Sequence, residues 1–457
     1  MELNSSIEKS VEKFKKISED HFIKIISHLD TDGITSAAIL AKALQREDIK
    51  FSITIVRQLE TELLKEIMKN SFGKKEALFF LDLGTSFIEI LNNCSNPVFI
   101  LDHHQFDELP EINETIKFIN SRSFGEELTA SGLTFFFSKK MNEQNSDAPL
   151  AILGVVGDMQ DRDISKMNNL ILNDNDERIK IKRGLKIFSA ARPVHKALEF
   201  GSDIFIPGVT GNSIGAWNML REIDIKVKND KGYRTLLDLD SEEISRLVTA
   251  IVLRRLDLNS IDAEADEIIG NIYTIKIFNH FEDARELSTL INACGRLGQS
   301  DVALGLCLGS KTDKTKAEEI YNKYKHSIIK ALTWVSSAKK IEGDEYVIIN
   351  AKDNIPDTLI GTIVSINASS FLYPKGTILI GMAERSDGKI KVSMRIRGKG
   401  EKANLREILS DISKKIDVED FGGHESAAGC LIPKAKEELF IETLKQELDI
   451  KKIKIAA

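Results

Sequence analysis

Cysteine is scarce in this chain: Cys94, Cys294, Cys307 and Cys430 are the four among 457 residues, and no two form a C-x-x-C pair. That argues against a zinc ribbon and offers no disulfide framework, so the four read as buried, reduced thiols of a cytosolic protein. Long apolar runs are missing too. No stretch approaches the roughly 20 apolar residues of a membrane span. The N-terminus, MELNSSIEKSVEKFKK, lacks the apolar core of a secretory signal and reads as a short amphipathic helix. A soluble, cytoplasmic protein with no membrane partner is expected. Nor is there an excess of positive charge. With 63 Lys and Arg against 70 Asp and Glu, the net charge is −7, which argues against a surface coated in basic residues for duplex nucleic acid. A local basic groove stays open, because phosphate contacts act over short distances at cellular salt. Part of the negative excess is assignable to carboxylates that bind cations.

What is present is a core-forming chain, 42% hydrophobic, long enough for two or three domains. From Phe22 to about Asn120 it alternates strand and helix. Strands are predicted at Phe22–Ser27, Phe51–Val56, Ala77–Leu81 and Val98–Leu101. Helices are predicted at Ile34–Leu44, Leu59–Met68 and Phe87–Leu91. Continuous apolar strands with helices between them predict a parallel sheet covered on both faces. In such sheets ligands bind at the C-terminal edge.

That edge collects acids and histidines. His28-Leu29-Asp30-Thr31-Asp32-Gly33 follows the first strand, and alternate residues of an extended segment point the same way. Asp82 follows the third strand, and Asp102-His103-His104 the fourth. After a helix predicted at Leu128–Met141, another apolar segment ends in Gly157-Asp158, with Asp161-Arg162 beyond. Singly, each is what an ordinary turn, helix cap or surface pair would use. Together they deliver acids from four segments to one edge. Five carboxylates cannot all stay ionised in one pocket without cations. Carboxylate and imidazole ligands without thiolate favour manganese and admit magnesium. Two such ions are the usual arrangement for hydrolysing phosphate esters.

H-x-D-x-D-G, the lone Asp82, the D-H-H triplet and the later Gly157-Asp158 together resemble the four motifs of the DHH phosphoesterase family. That family includes RecJ exonucleases, nanoRNases, cyclic-dinucleotide phosphodiesterases, exopolyphosphatases and family II pyrophosphatases. The resemblance implies two divalent cations. His28 and Asp30 would bind one and Asp32 the other. Asp82 would bridge them, and His103 and Asp158 would complete the second site. Asp102 would orient a histidine, and His104 would meet the scissile phosphate as a hydrogen-bond donor or general acid. Several small-substrate members carry one more residue between the His and the first Asp, so the spacing here is closer to the RecJ branch.

The middle of the chain is less legible. A helix broken near Pro193 is predicted over Arg178–Leu198, with others at Asn212–Glu222, Glu242–Leu256 and Lys314–Lys340. The stretch from Leu287 to Gly298 resembles one that faces the substrate groove in archaeal RecJ-like proteins, which singles out Asn292 and Arg296. The alternative is a helix end with Gly298 as its stop. Beyond Glu345, strands are predicted at Glu345–Asn350, Thr377–Ala383 and Lys389–Ile396, with helices at Leu359–Ser370 and Leu405–Ser413. Gly422-Gly423-His424 would let backbone amides approach a phosphate, with a following helix aimed at it. It resembles the GGH motif of the DHH-associated domain, and Arg395 matches that domain's phosphate-binding Arg. Arg397 and Lys399 lie beside it.

The fold expected is therefore α/β: a parallel-sheet catalytic domain over residues 1–225, a helical middle region with a long connecting helix over 226–343, and a smaller α/β substrate-binding domain over 344–457. The active site would lie in the cleft between. The length favours an archaeal RecJ-like exonuclease on single-stranded DNA or RNA, able to associate with replication proteins such as the GINS complex. A small-substrate hydrolase is the nearest competing reading. A structural subunit of a replication complex is the other, disfavoured because every ligand position is filled.

Overall fold

In the computed structural model, which describes residues 2–106, 108–161, 163–174, 176–185, 190, 192–200, 206–230, 232–256, 269–369, 372–398 and 404–456, the chain divides into two compact units, Met1–Tyr321 and Asn322–Ala457. The apolar runs of the first unit become strands β1 (Phe22–His28), β2 (Phe51–Val56), β3 (Glu76–Leu81), β4 (Val98–Asp102) and β5 (Ile116–Asn120). They form one parallel sheet in the order β2-β1-β3-β4-β5. The first strands paired are not all sequential: β2 lies on one side of β1 and β3 on the other. Loops leaving β1 and β3 therefore diverge to opposite faces and open a crevice at their C-terminal ends. Register aligns Ser27 with Leu81 and Leu81 with Leu101, so His28, Asp82 and Asp102 all leave the sheet at one level.

Helices α1 (Leu3–Ser18), α2 (Thr31–Arg46), α3 (Thr61–Ser71), α4 (Ile88–Leu91), α5 (Ala130–Met141), α6 (Ala148–Gly157) and α7 (Lys166–Leu172) accompany this sheet. Phe14 of α1, Phe79, Phe99 and Phe137 lock one face. Phe79 and Phe99 stack at 4.6 Å, and Phe14 meets them edge-on at 5.4 and 5.8 Å. Such aromatic pairs add to their area burial.

Next come β6 (Ile179–Leu185), α8 (Val194–Phe200), α9 (Ser213–Glu222), the short pair β7 (Lys228–Asn229) and β8 (Gly232–Tyr233), α10 (Ser241–Leu256), β9 (Ile269–Ile275), β10 (Glu282–Asp283), α11 (Ala284–Arg296) and α12 (Ser300–Cys307). The helix expected over Arg178–Leu198 is not formed. Ile179-Lys180-Ile181-Lys182 alternates with period two, and β6 pairs antiparallel with β9 over seven residues. Helix begins only after Pro193, at Val194. A separate core of Leu198, Val209, Leu220, Leu247 and Ile251 fills this region.

Helix α13 (Lys311–Ser337) contains the boundary between the units. The second unit has β11 (Ile341–Glu342), β12 (Tyr346–Lys352), α14 (Asp357–Ser369), β13 (Ile378–Glu384), β14 (Lys389–Ile396), α15 (Leu405–Ser413), β15 (Glu419–His424), β16 (Ala427–Pro433) and α16 (Glu437–Ala456). Its sheet runs β11-β12-β13-β14-β16-β15. The helix expected after Gly422-Gly423-His424 is absent. Two residues, Glu425 and Ser426, turn β15 back onto β16 as a hairpin. The following Cys430, Leu431 and Ile432 are buried strand residues, and a two-residue connection favours this outcome.

Candidate metal centre

The site grows from the end of β1. Asp30 is the N-cap of α2, its Oδ1 accepting the Gly33 amide at 3.0 Å, so the capping role holds. Its other oxygen, Oδ2, lies 2.9 Å from His28 Nδ1. One carboxylate thus closes the turn and also faces the pocket. Asp32, in the first turn of the same helix, is fully buried. It is fixed from outside: Ala130 and Ser131, the first residues of α5, donate their amides to Oδ2 at 2.8 Å and Oδ1 at 3.0 Å. A carboxylate at a helix N-terminus is favourably placed. Gly154 of α6 makes this closeness feasible, because a Cβ there would lie 2.6 Å from Asp32 Oδ1 and 2.0 Å from Ser131 Oγ.

Asp82 is buried and sits at φ +59°, a left-handed conformation uncommon outside glycine. Its two oxygens face different partners. Oδ2 is 3.3 Å from His28 Nδ1, and Oδ1 is 3.3 Å from His103 Nε2 and 3.8 Å from His104 Nδ1. His103 Nε2 is also 3.0 Å from Asp158 Oδ2 and 3.6 Å from Asp32 Oδ2. Asp158 caps the C-terminus of α6.

Asp102 is different. It accepts the Thr85 amide at 3.0 Å and hydroxyl at 2.6 Å, the amides of His103 at 2.8 Å and His104 at 3.2 Å, and His104 Nδ1 at 2.7 Å. Its lone pairs are spoken for, so it orients His104 and leaves that ring's Nε2 for other use.

Charge in the cluster is finely balanced. Burial pushes the Asp32 carboxyl well up, aided by the charges of Asp82 and Asp158. Burial and Asp30 push Asp82 up. Burial also opposes ionisation of Asp30 and Asp102, but His28 and His104 respectively override it and hold both well below the usual range. The histidines are raised against their own burial, His28 chiefly by Asp30, His103 by Asp158 and Asp82, and His104 to about 9 by Asp102.

Three overlapping sets could each hold a cation: His28, Asp30 and Asp82; Asp82, His103 and His104; and Asp32, His103 and Asp158. The donor set fits a hard or borderline divalent ion. His28 Nδ1 and Asp82 Oδ2 are buried polar atoms with no hydrogen bond of proper geometry, as expected of atoms whose partner is an ion.

Residues further along the chain brace the loop. Asn292 Oδ1 accepts the Thr31 amide at 3.0 Å, and Thr31 Oγ1 donates to Ser288 O at 3.0 Å. A Cβ on Gly295 would meet Leu29 O at 2.2 Å, so α11 packs directly on the turn. Arg296, one turn after Asn292, is half-buried in the last turn of α11, and Gly298 follows at φ +72°. The stretch is thus a helix end with Gly298 as its stop, and Asn292 is turned toward the metal-binding turn. Asp161 pairs with Arg285 at 2.7 Å; Arg162 lies outside the described residues, as does Lys399. Thr85, the α5 amides, Thr31 and Ser288 were not anticipated. Only the small-residue run Thr129-Ala130-Ser131-Gly132 ahead of an apolar helix hinted at them.

In the second unit, Arg395 and His424 both pair with Ala427, one from each side of β16. The rung thus runs Arg395, Ala427, His424, with Gly423 and Gly422 the next positions of the edge strand β15. Arg395 Nε donates to Ser365 Oγ at 3.1 Å.

Residues 22–157 match the DHH family, N-terminal domain; 189–269 match the DHH-CID domain; and 343–449 match the DHHA1 domain. The chain belongs to the DHH family. Over 97% of both chains it is 28% identical to an uncharacterized protein of Methanocaldococcus jannaschii. The DHH chain also shares its fold with RecJ of Thermus thermophilus, solved in complex with Mn2+ (TM-score 0.58, 15% identity). That match covers 96% of this chain and 54% of RecJ, so the chain spans about half the length of the Thermus protein. CDC45 of Entamoeba histolytica is similar over 97% of this chain and 99% of its own (TM-score 0.60, 13% identity). Among the described residues of this DHH protein, no helix is long and apolar enough to cross a membrane.

Proposed function

We propose that the chain is a two-metal phosphodiesterase that degrades single-stranded DNA or RNA from an end to mononucleotides, in DNA replication or repair. The observation that best supports this is the split use of Asp82, one oxygen toward His28 and the other toward His103. On this reading His28 and Asp30 hold one divalent cation, and Asp32, His103 and Asp158 hold the other, with Asp82 between. Manganese suits the donors best and magnesium is admitted. Bound there, the cations would supply an activated water and neutralise charge on the phosphoryl oxygens.

The chain's own groups do the rest. Asp102 fixes the His104 ring through Nδ1, so that Nε2 donates to the scissile phosphate or the leaving oxygen. Arg395 takes a substrate phosphate through its planar fork, on the rung shared with His424 and next to Gly422 and Gly423. Asn292 holds the metal-binding turn, and Arg296 meets the strand beyond it. In this division residues 1–225 are catalytic, 226–343 intermediate and 344–457 substrate-holding. Association with replication proteins, GINS included, belongs to the same proposal and is consistent with a fold shared with CDC45.

End-labelled DNA and RNA strands tens of nucleotides long, incubated with Mn2+, test it. Mononucleotides released from one end are expected. Asp82→Asn should lose roughly a hundredfold or more, beyond what outer ligand partners cost. Cleavage confined to short oligomers or a cyclic dinucleotide would replace the reading with a small-substrate hydrolase. No cleavage by metal-loaded protein would replace it with a structural role.

A further inference from the structure

We propose that the first unit carries a second, separate pocket, for a small phosphate-bearing ligand with an apolar, ring-bearing body, of the nucleoside monophosphate class. A cavity of about 230 Å³ lies between α2, the start of α6, the end of β9 and the end of α12. Its wall combines Lys42, Arg178 and Lys276 with a single carboxylate, Asp147, and with the apolar side chains Leu150 and Phe278.

The charge there is unbalanced. Asp147 is already shared by two cations, Lys42 at 2.5 Å and Arg46 at 2.7 Å. Burial opposes its ionisation, but Arg46 and Lys42 hold the carboxyl below the usual range. Arg178 pairs with Asp176 and also donates to Ser146 O at 2.7 Å. Lys276 has no counter-charge: its ammonium meets no partner among the described residues, although it is half-buried. A half-buried cation at the rim of a basic cavity calls for an anion.

A second observation narrows the ligand. Leu150 and Phe278 give an apolar wall for the rest of such a molecule.

This pocket is not the metal centre. Lys42 lies three turns along α2 from Asp30, roughly 18 Å at 1.5 Å per residue. Helix α6 likewise begins beside Asp147 and ends at Asp158. The inference stands independently of the phosphodiesterase reading.

Isothermal titration of the full chain in EDTA, with AMP and inorganic phosphate as separate probes, tests it. EDTA keeps phosphate off any bound cation. AMP is expected to bind once per chain, and phosphate more weakly. Equal affinity for the two would overturn the apolar part of the assignment. Lys276→Glu, which sacrifices no existing partner, should weaken AMP roughly tenfold or more, the scale of one charge-assisted contact. Arg395→Ala should leave it unchanged. No binding of either probe at about 5 mM, weaker than a millimolar site, overturns the proposal. So does binding that ignores Lys276→Glu or disappears with Arg395→Ala.

Discussion

Asp82 shows how much of this site is decided by single atoms. At φ +59° it occupies a region that costs a non-glycine residue of order 1 kcal/mol. Asp and Asn tolerate it better than other side chains, so Asp82→Asn tests chemistry without unseating the backbone. Gly154 is the complementary case, a residue with no chemistry that a methyl group would disable. The methyl would overlap Ser131 Oγ and Asp32 Oδ1 at 2.0 and 2.6 Å. Both belong to a buried contact between α5, α6 and α2 that has no room to yield. Gly154→Ala is expected to cost about 1–3 kcal/mol, typical of overpacking, read as a lower urea midpoint. It should also weaken Mn2+ binding, read by titration, because it displaces the Asp32 carboxylate. Gly73, away from the cluster at φ +73° with open space around it, should lose some stability to backbone strain as alanine but leave Mn2+ binding unchanged.

At the scale of elements, the sequence was most legible where an apolar run ends in an acid. Phe22–His28, Glu76–Leu81 and Val98–Asp102 are strands, and Asp30, Asp82 and Asp102 leave them at one edge. It was least legible where local pattern competes with charge. Ile179–Leu185 carries Lys180, Lys182 and Arg183, which suit a helix surface, yet its period-two alternation pairs it with β9. Gly422-Gly423-His424 has the small residues of a phosphate loop, and the strand character of Cys430-Leu431-Ile432 decided for a hairpin. Of helix α11 only the end at Gly298 was legible, as one of two readings, and nothing pointed to its buried cap. Asp283 accepts the Arg285 amide through Oδ1 at 2.9 Å and the Ala190 amide through Oδ2 at 3.1 Å. Burial nevertheless pushes its carboxyl up to about 6. An acid raised on folding keeps its proton longer in the folded state, so stability falls as pH rises from the unfolded value near 4 to about 6, then levels. The loss should be about 2–3 kcal/mol. Asp283→Asn keeps the Arg285 contact through its single amide oxygen, gives up the Ala190 contact at every pH, and removes the titration, so the gap between variant and wild-type unfolding free energies, read by urea, should change by that amount between pH 4 and pH 7. A constant gap would refute it.

The whole molecule is two compact units, and the titratable cluster lies entirely in the first, between His28 and Asp158. Without cations, Asp32 and Asp82 are both pushed toward protonation by burial and by one another's neighbours. Folding that unit therefore works against its own charge, and a divalent cation offsets both terms at once. Linkage makes this measurable. A cation at a hundredfold its dissociation constant stabilises the state that binds it by about 2.7 kcal/mol. For a unit of this size that is roughly 4 °C in melting temperature. Calorimetry of the full chain with EDTA and then with Mn2+ should therefore show the heat absorbed by Met1–Tyr321 moving upward by that amount. The heat absorbed by Asn322–Ala457, which contributes none of the three candidate ligand sets, should stay where it was. Asp82→Asn should abolish the shift while melting no lower than wild type in EDTA, because it also removes a repelling charge. A shift that survives Asp82→Asn would place the cation elsewhere, and a shift shared by both units would mean that they unfold as one.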